Sequence, residues 1–141
     1  MILVDLNVVL DVVQARDPHY EASASVLDRI VSERDKGAIA AHAVTTVHYL
    51  VARYRDRKTA DQTVGWLLRY FQIATVGEKA LRRANVLAWP DFEDAVVAAA
   101  AEFAGCTCIV TRNVKGFEKD PLPAYTPEEY LAFGNLDNLT S

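Results

Sequence analysis

The sequence predicts a three-layer α/β/α domain with a central parallel sheet of about five strands. Three observations lead there. Short apolar runs without polar alternation recur along the chain, as in strands buried on both faces. Stretches with helical apolar spacing separate them, the alternation that builds parallel sheets. The 141 residues, 51% apolar and 24% charged, suffice for one core and show no internal repeat or linker.

The first strand covers residues 1–5 and ends on Asp5. An apolar stretch, residues 7–13, follows. Asp17-Pro18 then offers an N-cap and a proline at the first helical position, before Tyr20, Ala24, Leu27 and Val31 at helical spacing. Lys36-Gly37 ends that helix. Residues 38–41 form a weak second strand, and Val44, Val47, Val51 and Tyr54 mark a helix running out into Arg53, Arg55, Arg57 and Lys58. Thr59-Ala60-Asp61-Gln62 fits a capping box for the next helix, with Val64, Leu67, Leu68 and Phe71 as its buried stripe. Residues 72–76 make strand three. A helix over residues 77–88 stops at Trp89-Pro90, because the residue before proline is pushed off helical geometry. Residues 91–104 form an alanine-rich helix ended by Gly105, and residues 106–111 the fourth strand. A short edge strand fits residues 121–125. Thr126-Pro127-Glu128-Glu129 caps a last helix that Gly134 terminates, placing the domain at residues 1–134 with a polar tail over 135–141.

Composition narrows the function classes. A chain of this size buries roughly 68–70% of its unfolded surface, so its two cysteines are not needed as a disulfide framework. The opening Met1-Ile2-Leu3-Val4 meets an acid with no basic leader, and the longest alanine–valine run is too short to span a bilayer. Both point to a cytoplasmic protein without membrane contact. A net charge of −4 argues against a generic basic sheath around nucleic acid. It leaves room for acids gathered around a cation, which attract phosphate once the cation is bound.

In an open parallel sheet, ligands bind beyond the carboxyl ends of the strands. Three polar groups fall there: Asp5-Leu6-Asn7, Asp91 with Asp94, and Arg112-Asn113. Asp5 follows four apolar residues, and a buried carboxylate needs a donor or a cation. Capping the following helix is the plainer role for it. Asp91 and Asp94 share one helical face, within reach of one cation, or else serve as N-cap and first-turn acid. Carboxylate oxygens suit Mg²⁺ or Mn²⁺. Cys106 and Cys108, with His42 and His48 on another segment, show no zinc-ligand spacing and read as core thiols. His48 lies among Val44, Val47 and Val51 and reads as a packed histidine rather than a general base. No Gly-rich phosphate loop, serine nucleophile elbow or Cys–His pair is present.

The run Ile2-Leu3-Val4-Asp5-Leu6-Asn7-Val8-Val9-Leu10-Asp11, then Asp91-Phe92-Glu93-Asp94-Ala95, then Ile109-Val110-Thr111-Arg112-Asn113 resembles, in order and spacing, a PIN domain. Within that family it is most similar to the VapC-type toxin ribonucleases of type II toxin–antitoxin modules. The likeness extends through Tyr125-Thr126-Pro127-Glu128-Glu129-Tyr130-Leu131. It implies a homodimeric α/β/α endoribonuclease using Mg²⁺ or Mn²⁺, silenced by a cognate antitoxin protein, and leaving 5′-phosphate and 3′-hydroxyl ends on RNA. Asp5 matches the first family acid, Asp94 the third, Asn7 a polar support and Asp91 an accessory acid. The chain departs from the pattern at the second acid, which falls at about Thr46, at the fourth, which is Asn113, and at Gly116, which replaces a frequent acid.

The resulting expectation is a metal site of Asp5, Asp94 and Asp91, with Asn7, Asn113 and Thr46 orienting carboxylates and water. Arg112 and some of Arg53, Arg55 and Arg57 hold the RNA backbone, although such a basic run also fits a solvated helix end. The alternative is a PIN-like protein that has lost catalysis and binds RNA or a partner. A phosphatase using Asp5 as nucleophile fits less well, because the second aspartate such enzymes carry two residues on is Asn7.

Overall fold

The computed structural model describes residues 1–118 and 121–140, the last seven by backbone only. Strand β1 (Ile2–Val4) leads into helices α1 (Leu6–Val13) and α2 (Tyr20–Val31). Strand β2 (Gly37–Ala40) leads into α3 (Ala41–Tyr54) and α4 (Arg57–Tyr70). Strand β3 (Gln72–Ala74) precedes α5 (Glu78–Leu87) and α6 (Phe92–Phe103). Strand β4 (Cys108–Val110), a single 3₁₀ turn (Val114–Gly116), β5 (Ala124–Tyr125) and α7 (Pro127–Thr140) complete the fold. The expected strands are all present; β1, β3, β4 and β5 are shorter than expected, and β2 keeps its length but starts one residue earlier.

All four pairings are parallel, in the order β3-β2-β1-β4-β5. The chain builds outward from β1 through β2 to β3, then returns to the other side of β1 with β4. The crevice beyond β1 and β4 is therefore the switch point where open α/β sheets bind ligands. Leu3, Val4, Ile39, Ile109 and Val110 are fully buried, which explains why these strands carry no polar alternation. Helix α6 packs on β2, β3 and β4, with α5 against it. Its run from Ala95 to Ala101 is buried, and alanines let its backbone lie close to the sheet. Helix α1 packs on α2 and α3, α3 on α4, and α2 on α7. The result is the three-layer arrangement read from the sequence.

Several local expectations change. Pro18 does not open α2, which starts at Tyr20 behind His19 with no side-chain cap. The cap of α4 is Asp56, not Thr59: its carboxylate accepts the Thr59 amide at 2.6 Å, so Arg57 and Lys58 belong to the first turn. A charged acceptor outcompetes the threonine hydroxyl for that amide. Starting there, α4 buries Ala60, Thr63 and Leu67 and leaves Leu68 57% exposed. Thr126 and Glu129 form the expected capping box, each accepting the other's amide at 3.1 Å. Helix α7 continues past Gly134 to Thr140, so the expected stop is not used and the polar segment to that point is helical. Tyr130 of α7 donates its hydroxyl to Asp35 at 2.5 Å, and the Arg29 Nε lies 2.8 Å from the same carboxylate oxygen, fastening α7 to α2 and the β2 entrance.

Candidate active site

Asp5 leaves the central strand at the switch point, 8% exposed. One carboxylate oxygen, Oδ1, caps α1 by accepting the Leu6 amide at 2.8 Å. The other accepts the Thr111 hydroxyl at 2.8 Å and the Asn7 side-chain amide at 3.2 Å. The capping role and the site role thus divide between the two oxygens. Burial pushes the Asp5 carboxyl above the usual carboxylate range, opposed by the Thr111 and Leu6 hydrogen bonds.

Thr111 is the hub of this arrangement and is fully buried. Besides donating to Asp5, its hydroxyl accepts the Asn113 backbone amide at 3.0 Å and lies 3.3 Å from the Asn7 side-chain nitrogen. Asn7 in turn accepts the Arg112 backbone amide at 3.3 Å. The loop after β4 is thereby stitched to the end of β1 through Asn7. Thr111 stood in the sequence only as the end of a strand. Its signal was a hydroxyl at the carboxyl end of a strand bound on one side by β1.

Asp94 sits in the first turn of α6, held there because the Asp91 carboxylate caps the helix and accepts the Asp94 amide at 3.1 Å. Asp94 Oδ2 is buried with no hydrogen-bond partner among the described residues. Its carboxyl is pushed up to about 7, first by burial and then by the charges of Asp91, Asp5 and Glu93. A buried carboxylate oxygen without a donor, among like charges, calls for a proton or a cation. A Cβ on Gly116 would fall 2.4 Å from Asp94 Oδ2 and 2.6 Å from the Asn113 side-chain nitrogen. Asp94 and Asn113 therefore meet over Gly116, and a side chain there would displace them.

Other expected residues are placed differently. Asp91 faces its own helix end as a cap, and among the described residues no three His, Cys, Asp or Glu side chains converge on one point suited to a metal. The Asp5–Asp94–Asp91 cluster is thus not assembled as three carboxylates. Thr46 donates its hydroxyl to the His42 carbonyl oxygen at 3.2 Å, one turn back along α3, because a helical threonine can bond its own backbone. The Arg112 Nε lies 2.7 Å from Oδ2 of Asp11, which is 0% exposed and also accepts the Ser23 hydroxyl at 3.1 Å. The Arg112–Asp11 contact is a close ion pair without hydrogen-bond alignment, since the Arg112 Nε and Asp11 Oδ1 are unpartnered among the described residues. Arg112 therefore anchors the loop to α1, a role its charge alone did not indicate.

Arg53 donates to the Tyr49 hydroxyl at 3.0 Å, Arg55 ends α3, and Arg57 lies 3.8 Å from Asp61 in α4. These three gather at the far end of α3, which rises about 20 Å over its length. His48 lies 2.8 Å from Asp61, joining α3 to α4 on the surface rather than packing in the core. Cys106 and Cys108 are buried free thiols, and burial pushes the Cys108 thiol to about 11, as inert core cysteines. His42, weighed in the sequence only as a zinc ligand, stands in the first turn of α3 within electrostatic reach of Asp5.

The two carboxylates, with one Asp94 oxygen unsatisfied and the Asn113 side-chain amide beside it, fit a hard divalent cation that keeps several waters. No helix among the described residues is long and apolar enough to cross a membrane.

Comparison with solved structures gives the same architecture. A toxin–antitoxin complex from Klebsiella pneumoniae matches with TM-score 0.70 and 20% identity, over 90% of this chain and 98% of that one. FitAcB from Neisseria gonorrhoeae matches with TM-score 0.67 and 22% identity, over 91% and 99%. VapC20 of Mycobacterium tuberculosis, a sarcin–ricin loop cleaving toxin, matches with TM-score 0.62 and 16% identity, over 85% and 92%. No curated protein sequence matches. The family model of a PIN domain matches residues 1–115, spanning β1, the α6 acid and the Thr111 loop. With that match, and with Asp5 and Asp94 brought to the switch point of this sheet, the chain belongs to the PIN domain family.

Proposed function

We propose that the protein is a metal-dependent endoribonuclease and the toxin of a toxin–antitoxin pair. The observation that carries the reading is the buried, unpartnered Asp94 oxygen facing a sheet end that also presents Asp5. Asp5 and Asp94 would hold Mg²⁺ or Mn²⁺, with the Asn113 side-chain amide beside Asp94. When bound, the ion supplies charge neutralisation at the phosphate and acidifies water. Asp5 is kept in place by Thr111 and the Leu6 amide. Asp94, with its carboxyl raised to about 7, would have to be deprotonated to hold the ion, so binding would strengthen with pH up to about 7. Asn7 and Arg112 fix the loop that carries Asn113. Arg53, Arg55 and Arg57, a helix length away, would hold the RNA backbone beyond the cleaved bond.

One solved neighbour is a toxin–antitoxin complex and another a sarcin–ricin loop cleaving toxin, which supports RNA as substrate and an antitoxin protein as partner. The cytoplasm as location and a homodimer belong to the same reading. A second reading, a PIN fold that binds RNA or a partner without cutting, draws on Thr46 and Asn113 in place of acids and on the capping role of Asp91. Incubating labelled RNA with the purified chain and Mn²⁺ or Mg²⁺ separates the two. Nuclease action predicts cleavage that stops with chelator and with Asp5→Asn or Asp94→Asn. RNA left intact by the unaltered chain under all metal conditions, or cut equally by both variants, would remove it.

A further inference from the structure

We propose that Asp11 is a positioning residue, which with Ser23 turns the Arg112 guanidinium so that its terminal nitrogens take a phosphate of the RNA beside the cleaved bond. The inference rests on the RNA-cleaving reading above.

Arg112 is held at one end only. Its Nε is buried 2.7 Å from Asp11 Oδ2, yet the side chain as a whole stays 29% exposed. Neither terminal nitrogen carries a hydrogen bond among the described residues, and neither is among the buried unpartnered atoms, so the outer end of the guanidinium meets solvent. Those two nitrogens hold most of the donors of an arginine, in the planar fork that matches two oxygens of a phosphate.

The inner end is fixed by two packed helices. Asp11 of α1 is fully buried, and Ser23 of α2, buried as well, donates its hydroxyl to the same Oδ2 at 3.1 Å. As a fastener for the loop this acid is a poor choice, because packed apolar side chains commonly hold as well without the cost of desolvating two charges. The loop has other ties already: the Thr111 hydroxyl accepts the Asn113 amide, and Asn7 accepts the Arg112 amide. What only the acid supplies is a direction for the guanidinium.

That direction suits the site. Asn113, the next residue, meets Asp94 over Gly116. Asp11 lies six residues after Asp5, a rise of about 9 Å along α1. An RNA strand whose scissile phosphate sits at Asp5 and Asp94 therefore brings a neighbouring phosphate toward the exposed end of Arg112.

The test follows binding of a fluorescent single-stranded RNA to the full chain by anisotropy, in chelator and over a series of salt concentrations, beside cleavage kinetics with Mn²⁺. Arg112→Gln should weaken binding about tenfold and reduce the slope of log affinity against log salt by about 0.7, the share of one phosphate contact on a single strand. Asp11→Asn leaves the arginine charged but no longer aimed. Its salt slope should stay that of the parent while affinity falls about fivefold and KM rises to match, with kcat within about twofold. Arg112→Lys should recover the slope and not the affinity. A purely structural Asp11 would lower the melting temperature of Asp11→Asn and leave affinity and KM unchanged. That result, or an unaltered slope in Arg112→Gln, overturns the proposal, and the nuclease reading still stands if Mn²⁺-dependent cleavage persists. The expected slopes and affinities on a chain that never cuts would remove the nuclease reading and keep the phosphate contact. Poly-glutamate binding that depends on Arg112, with RNA binding that does not, would assign the fork to an acidic protein and overturn the proposal. Absence of RNA binding by the unaltered chain would overturn both. Should Asp11→Asn fail to fold, Ser23→Ala decides, since it loosens Asp11 without touching Arg112 and should lower affinity at an unchanged slope.

Discussion

Replacing Asp94 with asparagine should stabilise the metal-free protein near neutral pH, although under the proposed function the same change should remove metal binding. The Asp94 carboxyl is raised from 3.8 to about 7, chiefly by burial and then by Asp91 and Asp5. Between those two values the folded state keeps a proton that the unfolded chain has released. Stability therefore falls as pH rises through this window, and the loss is complete above about 7. The full shift corresponds to about 4 kcal/mol at about 1.4 kcal/mol per unit. Solvent reaching this partly exposed side chain lowers the usable figure to about 1–2 kcal/mol. For a domain of this size that is a rise in melting temperature of about 3–8 °C. Thermal unfolding followed by circular dichroism, with chelator, at about pH 8 and about pH 4.5, measures it. The variant should melt higher at the upper pH, with the gap narrowing at the lower. Adding Mn²⁺ should raise the melting temperature of the unaltered protein and leave the variant where it was. A variant that melts lower than the parent at both pH values would show that Asp94 makes a stabilising contact, and the reasoning from its unsatisfied oxygen would be wrong.

Other perturbations test the surroundings. Thr111→Val removes the hydroxyl shared by Asp5, Asn7 and the Asn113 amide, and should cost about 1–3 kcal/mol in urea unfolding, with cleavage reduced more than stability explains. Asp11→Ala strands Arg112 beside a buried gap, and should cost about 2–4 kcal/mol by the same measurement. Asn113→Asp adds a carboxylate next to Asp94, so calorimetry should find tighter Mn²⁺ binding, by about tenfold, and a less stable metal-free protein.

The layered fold was legible because its signals are local. Apolar runs such as Ile2-Leu3-Val4 and Cys108-Ile109-Val110 announce buried strands wherever the chain goes. The positions of Asp5 at a strand end and of Asp94 in the first turn of a helix were legible for the same reason, because the hydrophobic pattern defines both boundaries. What was not legible depends on partners distant in sequence. Thr111 matters through Asp5 and Arg112 through Asp11, and neither pairing is encoded in the spacing of neighbours. Helix ends failed on competition between acceptors. Asp56 and Thr59 both suit a cap, and only the backbone trajectory decides. Gly134 reads as a stop, yet α7 runs through it, because the cost of one helical glycine is small beside a tertiary anchor such as Tyr130 on Asp35.

The contact between Thr111 and Asp5 joins positions separated by most of the polypeptide. A nascent chain that has emerged only through α6 can hold both aspartates, yet it lacks the hydroxyl that orients the first of them and the asparagine that meets the second. The candidate site is therefore completed late in synthesis, when β4 takes its berth beside β1. Products cut short before that point carry the acids without the frame that would aim them.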